Sequence, residues 1–452
     1  MKIRIKQIIV ALLLIVSFVS ASQAKEMSIT EAQKCLEIHT GEKANDFHPG
    51  KVIVLDGTKK NGMIAAKRED GKILPLQQCY DFAVDKKGQI LSLYLKDVKL
   101  DDLKFISKFK NLKTLFILDA DIKSMRGLAG LKNLVEVDIR NSKIKKIEGL
   151  YNLPSLKHLY LSGHLISKIS GLDKIPSLVS LNLRYNRIKK IEGLKNLKNL
   201  THLNLSTNDE IKKIEGLGGL KKLINLEVYG EGIKRIECLD NLINLKILSI
   251  TGGKIEQIEN INHLVNLESL VICGPVNKVE GVDQLINLTH FAIVSNSLKK
   301  IENLSTLKKL RHLELGGTGV TKIEGLDDLD NLRKLDLQST KVKKIEGLDN
   351  LKKLRVLNLS ETPIKKMEGL DKLSSLWELY LTDTQITELE NYEGMTQLDS
   401  LALYSDRPLS KESKLKLREL RKILRKNERD NYVKGYEKET TYYNPKWDYA
   451  EY

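Results

Sequence analysis

The sequence predicts an α/β solenoid, a coil of short turns stacked on copies of themselves, and three observations predict it. A 22-residue unit recurs from Val84 onward. Its apolar positions, seen most cleanly at Leu172, Ile175, Leu178, Leu181, Leu183, Ile188 and Ile191, follow a spacing of three, three, three, two, five and three. Neither an α-helix of period 3.6 nor a strand of period 2 gives that series. Each unit also carries one Leu-x-Leu step, as at Leu181 and Leu183, which reads as a short strand. One unit alone cannot bury its apolar side, so the copies must stack.

On these residues the chain resembles the leucine-rich repeat proteins, in the 22-residue form shared by bacterial internalins and SDS22-like proteins. The resemblance covers roughly Val84 to Leu409. It implies a right-handed superhelix with a parallel β-sheet on its concave face, capped at both ends and used mainly to grip other proteins.

In chain order, residues 1–24 read as a signal peptide. Lys2, Arg4 and Lys6 precede an apolar run from Ile8 to Val19, and Ala21-Ser22-Gln23-Ala24 offers a small-residue cleavage site. The run is short for a membrane span, and no later stretch replaces it. The expectation is an exported protein, secreted, periplasmic or held at the cell surface. Residues 25–83 lack the repeat. A short helix is expected over Met27–Ile38, and Lys51–Leu55, Gly62–Ala66 and Lys72–Leu76 read as small β-hairpin strands. The segment serves as an N-terminal cap over the first open edge; a separate binding module is the alternative. Cys35 and Cys79 flank it, and an oxidising compartment makes them a disulfide candidate. That bridge would stabilise the segment by about 4 kcal/mol on the chain-entropy view. Cys238 and Cys273 occupy different faces of their repeats and read as buried or half-buried free thiols.

Residues 84–409 hold about 14 repeats plus a truncated one from Tyr392. The copy from Leu194 is one residue longer, and the copy from Ile261 one shorter. In this family the position two before the Ile of the second bend usually carries Asn, whose amide can satisfy backbone groups of neighbouring turns. Asn186 and Asn296 hold that place, Asn208 stands in, and Thr318, Thr340, Thr362 and Thr384 replace it in four successive copies. Residues 410–430 form a basic amphipathic helix with Ser410 as N-cap and a stripe of Leu417, Leu420, Ile423 and Leu424. Closing the array is its expected role, with membrane attachment as the alternative. Residues 431–452 are a Tyr-rich tail.

The inward leucines leave the residues between and beside them on the sheet's solvent face, stacked in columns about 4.8 Å apart. The central column includes Tyr94, Phe116, Asp138, Tyr160, Glu227, Val271, Glu314, Asp336 and Tyr380. The column two residues on includes Arg184, Tyr229, Val294 and Tyr404. Aromatic residues and Arg anchor protein interfaces, so these thirteen are the candidate partner-binding residues. Ile247, Val271, Ala292 and Val294 add apolar surface in mid-array, readable as a contact site or as ordinary scatter.

Lys and Arg number 75 against 59 Asp and Glu, a formal charge of +16. The convex Lys-Lys-Ile-Glu-Gly repeats interleave the two signs, which argues against a polyanion track, and export argues against nucleic acid. Association with anionic envelope polymers or lipid, as a structural surface protein, is the second functional reading. His290 and His312 are weak metal candidates with Glu314 nearby; two imidazoles need a third ligand to hold zinc, and polar surface residues are the simpler reading. No triad, phosphate loop or paired-Cys motif is present, so no enzyme and no cofactor are expected. The leading function is capture of a protein ligand on the concave face, with internalin-like adhesion or host interaction among the forms it takes.

Overall fold

The computed structural model describes residues 89–96, 102–404 and 407–434, and the backbone of four short strands at 53–54, 66–67, 73–74 and 82–84. The signal-peptide segment, the Cys35–Cys79 pair, the helix expected at 27–38 and residues 435–452 lie outside the described residues. The chain is a parallel β-solenoid of about fourteen turns with little helix. It divides into two units, Met1–Leu288 and Thr289–Tyr452.

In the first unit, Ala66–Lys67 pairs antiparallel with Ile73–Leu74, and Phe82–Val84 pairs antiparallel with the opening strand Ile90–Lys96. From there the pairing is parallel. Thr114–Leu118, Glu136–Arg140, His158–Ser162, Ser180–Asn182, His202–Leu205, Asn225–Tyr229, Ile247–Thr251 and Ser269–Cys273 follow in chain order. The register advances by one repeat per strand, so Leu115, Val137, Leu159 and Leu181 align. The second unit repeats this with His290–Val294, His312–Glu314, Lys334–Asp336, Val356–Asn358, Glu378–Thr382 and Ser400–Tyr404.

The repeat's apolar series is its core. Leu172, Ile175, Leu178, Leu181, Leu183, Ile188 and Ile191 are all buried. Each such side chain contributes about 2 kcal/mol of transfer free energy. The tight turn after Ile191 needs glycine. Gly193 has φ 71°, and a Cβ there would lie 2.4 Å from the Ile169 carbonyl oxygen of the preceding turn. Cys238 holds the equivalent place with φ 60° and is exposed, not half-buried.

Asparagines tie the turns together. Asn186 Nδ2 donates to the carbonyls of Leu161 (2.8 Å) and Leu183 (3.0 Å), while its Oδ1 accepts from Ile166 N–H (3.1 Å). Asn208 makes the same set of bonds one turn on. It holds the regular position after Leu205, and the extra residue of that copy falls between it and Ile211. The ladder does not extend to Asn296, which is exposed. There Ser295 turns inward at 4% exposure, and its Oγ accepts the Ser297 N–H at 3.1 Å. In the second unit, Thr318, Thr340, Thr362 and Thr384 each donate to the carbonyl three residues back, at 2.6–2.9 Å. A hydroxyl thus secures its own turn but does not reach the previous one.

The helix Lys411–Lys434 runs four residues past the predicted end. The first helix-breaking residue in the sequence is Gly435. Ser410 caps it, its Oγ accepting the Ser413 N–H at 3.1 Å. The inner face packs on the last turns of the array. Leu420 is fully buried, Ser413 Oγ accepts from Leu389 N–H (3.0 Å), and Asn427 Nδ2 donates to the carbonyls of Thr396 (3.0 Å) and Leu398 (2.7 Å). Among the described residues no helix is long and apolar enough to cross a membrane.

Candidate functional site

Strand alternation sends Leu115, Val137, Leu159 and Leu181 inward and places Phe116, Asp138, Tyr160 and Asn182 side by side on the solvent face. Tyr94 extends that column and is half-buried, like Phe116 and Tyr160. The structure therefore brings six predicted residues of the first unit into one file, Tyr94, Phe116, Asp138 and Tyr160 on successive strands and Glu227 and Val271 further along.

Asp138 is only 6% exposed and is clasped by Arg140, with Nε 2.9 Å from Oδ1 and Nη2 2.8 Å from Oδ2. Burial nevertheless raises its pKa, outweighing the guanidinium. Glu136, two residues earlier on the same strand, is pushed up to about 7, first by burial and then by the Asp138 charge, with Arg140 opposing. Sequence reasoning left Glu136 out. Its register partners, Thr114 and His158, belong to neighbouring strands, so its own repeat carries no mark of them. The His158 ring stacks on Tyr160 with centroids 6.3 Å apart, and burial lowers the His158 pKa. One buried and one half-buried carboxylate, with one guanidinium, give this stretch of a basic protein an acidic floor between aromatic rings.

Further along the same unit, Glu227 accepts from Asn204 Nδ2 at 2.8 Å and from Asn225 Nδ2 at 3.2 Å, and burial raises its pKa. The Arg184 guanidinium lies 4.4 Å over the Tyr185 ring, and its Nη2 donates to Tyr185 Oη at 2.8 Å. Tyr185 was not singled out from the sequence, yet it is 50% exposed and holds φ 55°. Other turns put Asp119, Asn141 or Gly163 in such left-handed positions. Tyr229 lies against Gly252; a Cβ there would fall 2.0 Å from its ring. Val271 is half-buried on the strand Ser269–Cys273, beside Ser249.

In the second unit, Glu314 and Asp336 are adjacent in the column, as are Asn358 and Tyr380. Tyr380 Oη donates to Glu378 at 2.8 Å, and Asp336 Oδ1 accepts the Gln338 N–H at 3.0 Å. Tyr404 is 60% and Val294 54% exposed, whereas Ala292 is buried at 6%. The expected mid-array apolar residues thus fall in different units and differ in exposure. The His290 and His312 rings are 6.1 Å apart. The carboxylate that could complete a metal set, Glu314, accepts the Lys334 ammonium at 2.7 Å and lies 4.0 Å from His290 Nε2. A cation already occupies the third-ligand position. Burial lowers both histidines, His312 to about 4, with His290 and Lys334 adding to the shift. Among the described residues no group of three His, Cys, Asp or Glu side chains could hold a metal ion.

The opposite side carries pairs between successive turns, Lys168–Glu192 (3.5 Å), Lys190–Glu215 (4.0 Å) and Arg235–Glu259 (3.0 Å). These exposed pairs stabilise little individually.

The family described as leucine rich repeats (2 copies) matches residues 132–174, 176–222 and 330–372. An internalin from Listeria monocytogenes is similar in structure, with 25% identity over 60% of this chain and 87% of that one, at a TM-score of 0.50. The functional domain of a second Listeria monocytogenes protein, InlJ, aligns at 22% identity over 71% of this chain and 69% of its own, with a TM-score of 0.59. A Leptospira interrogans leucine-rich repeat protein aligns at 22% identity over 71% of this chain and 91% of its own, with a TM-score of 0.56. The last two likenesses concern the fold. No curated protein sequence matches the chain.

Proposed function

The chain is a leucine-rich repeat protein of the bacterial, internalin-like kind, and we propose that it captures a protein ligand on the solvent face of its sheet, the concave face of such proteins. One observation carries this reading. Tyr94, Phe116, Asp138 and Tyr160 stand in one register-locked column, with half-buried rings on both sides of a buried, guanidinium-bound carboxylate. Rigid strands hold these side chains in place, so little conformational entropy is lost when a partner docks. Large aromatic rings and desolvated charge are the features that anchor protein interfaces. Arg184, Tyr185, Glu227 and Tyr229 extend the same surface within the unit.

Internalin-like adhesion, with an exported chain meeting a host or neighbouring cell, is the more specific form of the proposal. The similarity to a Listeria monocytogenes internalin supports it. The test is affinity capture with purified protein, repeated at low and high salt, followed by identification and direct titration of the captured partner. A discrete partner retained at high salt is expected, with Phe116→Ala combined with Tyr160→Ala weakening it at least a hundredfold. An unchanged dissociation constant in that double variant overturns the site. Capture that is heterogeneous and lost at high salt overturns the function.

A further inference from the structure

The closing helix has two used faces and one that the array leaves open. Its apolar stripe is spent on the array, through Leu420 and the half-buried Leu417 and Leu424. That stripe therefore cannot lie in a membrane while the helix caps the solenoid. On the opposite side, Lys411, Lys414, Leu415, Arg418, Arg421 and Lys422 are all exposed. At 3.6 residues per turn these six fall within an arc of about 120° and a rise of about 16 Å. The arc holds five basic side chains, no acid and one aliphatic residue, Leu415, which is 59% exposed. The helix's two nearest acids stand beside the arc and are engaged by lysines, Glu412 with Lys416 at 2.7 Å and Glu419 with Lys422 at 2.8 Å. Basic residues elsewhere in the repeats alternate with glutamates of the adjoining turn, as at Lys190 and Glu215.

We propose that this outer ridge of the capping helix docks the protein on an anionic phospholipid surface. Charge complementarity selects the partner's sign, since a row of five cations matches the negative potential of an anionic bilayer. The straightness of a helix matches a plane, and Leu415 supplies one aliphatic side chain that enters the headgroup region between flanking cations. A soluble polyanion would use the same cations but would gain nothing from Leu415. The association is peripheral and reversible, and it uses none of the residues proposed to hold a protein ligand. It is independent of that ligand, so either activity can fail without the other.

The experiment is co-sedimentation of the full mature chain with vesicles of phosphatidylcholine alone or with 30% phosphatidylglycerol, the latter at low and high salt. Binding is expected only to the anionic vesicles and is expected to fade as salt rises. Each cation near such a surface contributes about fivefold to partition, so Lys414→Gln with Arg418→Gln and Arg421→Gln loses about a hundredfold. Leu415→Gln loses several-fold. A control triple of equal charge change, Lys145→Gln with Lys146→Gln and Lys300→Gln, removes exposed lysines of the repeats and is expected to leave binding within about threefold of the parent. Equal losses in the two triples overturn the ridge, because net charge alone then explains the binding. Inorganic polyphosphate binding as tightly as the vesicles, with no effect of Leu415→Gln, overturns the lipid assignment in favour of a polyanion. Absence of anionic-vesicle binding overturns the proposal outright. The substituted positions are solvent-facing, and an unchanged thermal midpoint verifies that each variant is folded.

Discussion

The side-chain amide of Asn208 donates to the carbonyl of Leu183, 25 residues earlier and one turn back, at 3.0 Å. The same side chain accepts the Ile188 N–H at 3.0 Å and donates to Leu205 within its own turn, also at 3.0 Å. It is fully buried, so its loss strands backbone groups of two turns away from water. Asn208→Ala should cost about 3 kcal/mol, because stranded buried donors and acceptors carry the full desolvation penalty. Thr340 makes one local bond, to Leu337 at 2.7 Å, and Thr340→Val should cost about 1 kcal/mol. Urea midpoints of the two variants test this contrast, and equal losses would show that the amide ladder does not couple turns.

Glu136 gives the N-terminal face a pH signature. Its folded pKa is about 7, above the ordinary 4.5. Between those values the native state holds a proton that the unfolded chain has released, so stability falls as pH rises through this window. Glu136→Gln removes the penalty. The variant should match the parent near pH 5 and exceed it by about 2 kcal/mol at pH 8, a figure reduced for the part of the carboxyl that reaches water. Chemical denaturation at the two pH values measures the difference. A variant no more stable than the parent at pH 8 would show that the carboxyl is not strained.

At His312 the sign reverses. Its folded pKa, about 4, lies below the ordinary 6.5. Below about pH 6.5 the unfolded chain binds a proton that the native state refuses, so the second unit loses stability as pH drops toward 4. His312→Gln should flatten that part of the curve. Zinc should not raise the thermal midpoint of the parent, since Lys334 holds Glu314 at 2.7 Å. A zinc-dependent rise abolished by His312→Gln would restore the metal reading.

The sequence made the strand columns legible because the repeat length sets the register. Once Leu181 and Leu183 point inward, Asn182 and its neighbours in the column have one place to go. The ladder was less legible. His164 occupies the asparagine position after Leu161, with Nδ1 accepting the Ser142 N–H at 3.1 Å and Nε2 2.9 Å from the Ile139 carbonyl. An imidazole there spans the same two turns as an amide, and alignment of the copies position by position would have exposed it. Asn296 misled in the opposite direction, because Ser295 takes the inward place. A second set of asparagines, including Asn244, Asn266 and Asn287, reaches back to carbonyls of the preceding turn at 2.9 Å. Each stands directly before a core leucine, so a sequence signal existed there too. The burial of Glu136 and the clasp of Asn427 depend on strands or turns brought together only by folding, and no local spacing encodes them.

The capping helix offers a last prediction, on where the array opens first. Leu420 is fully buried, and Asn427 is the side chain that holds the helix to the carbonyls of Thr396 and Leu398. Removing a buried leucine side chain costs about 2–5 kcal/mol, depending on how far the site collapses. In a repeat protein each turn contacts only its neighbours, so the loss should be local and not global. Leu420→Ala should therefore accelerate amide exchange in Glu388–Leu389 and Ser400–Tyr404 while leaving His158–Ser162 of the first unit unchanged. Asn427→Ala should produce the same pattern with smaller amplitude, because it frees two carbonyls that water can partly reach. Hydrogen exchange by mass spectrometry resolves these segments. Uniform acceleration along the chain would mean that the solenoid unfolds as one cooperative block, and that the helix supports the whole array instead of sealing its last turn.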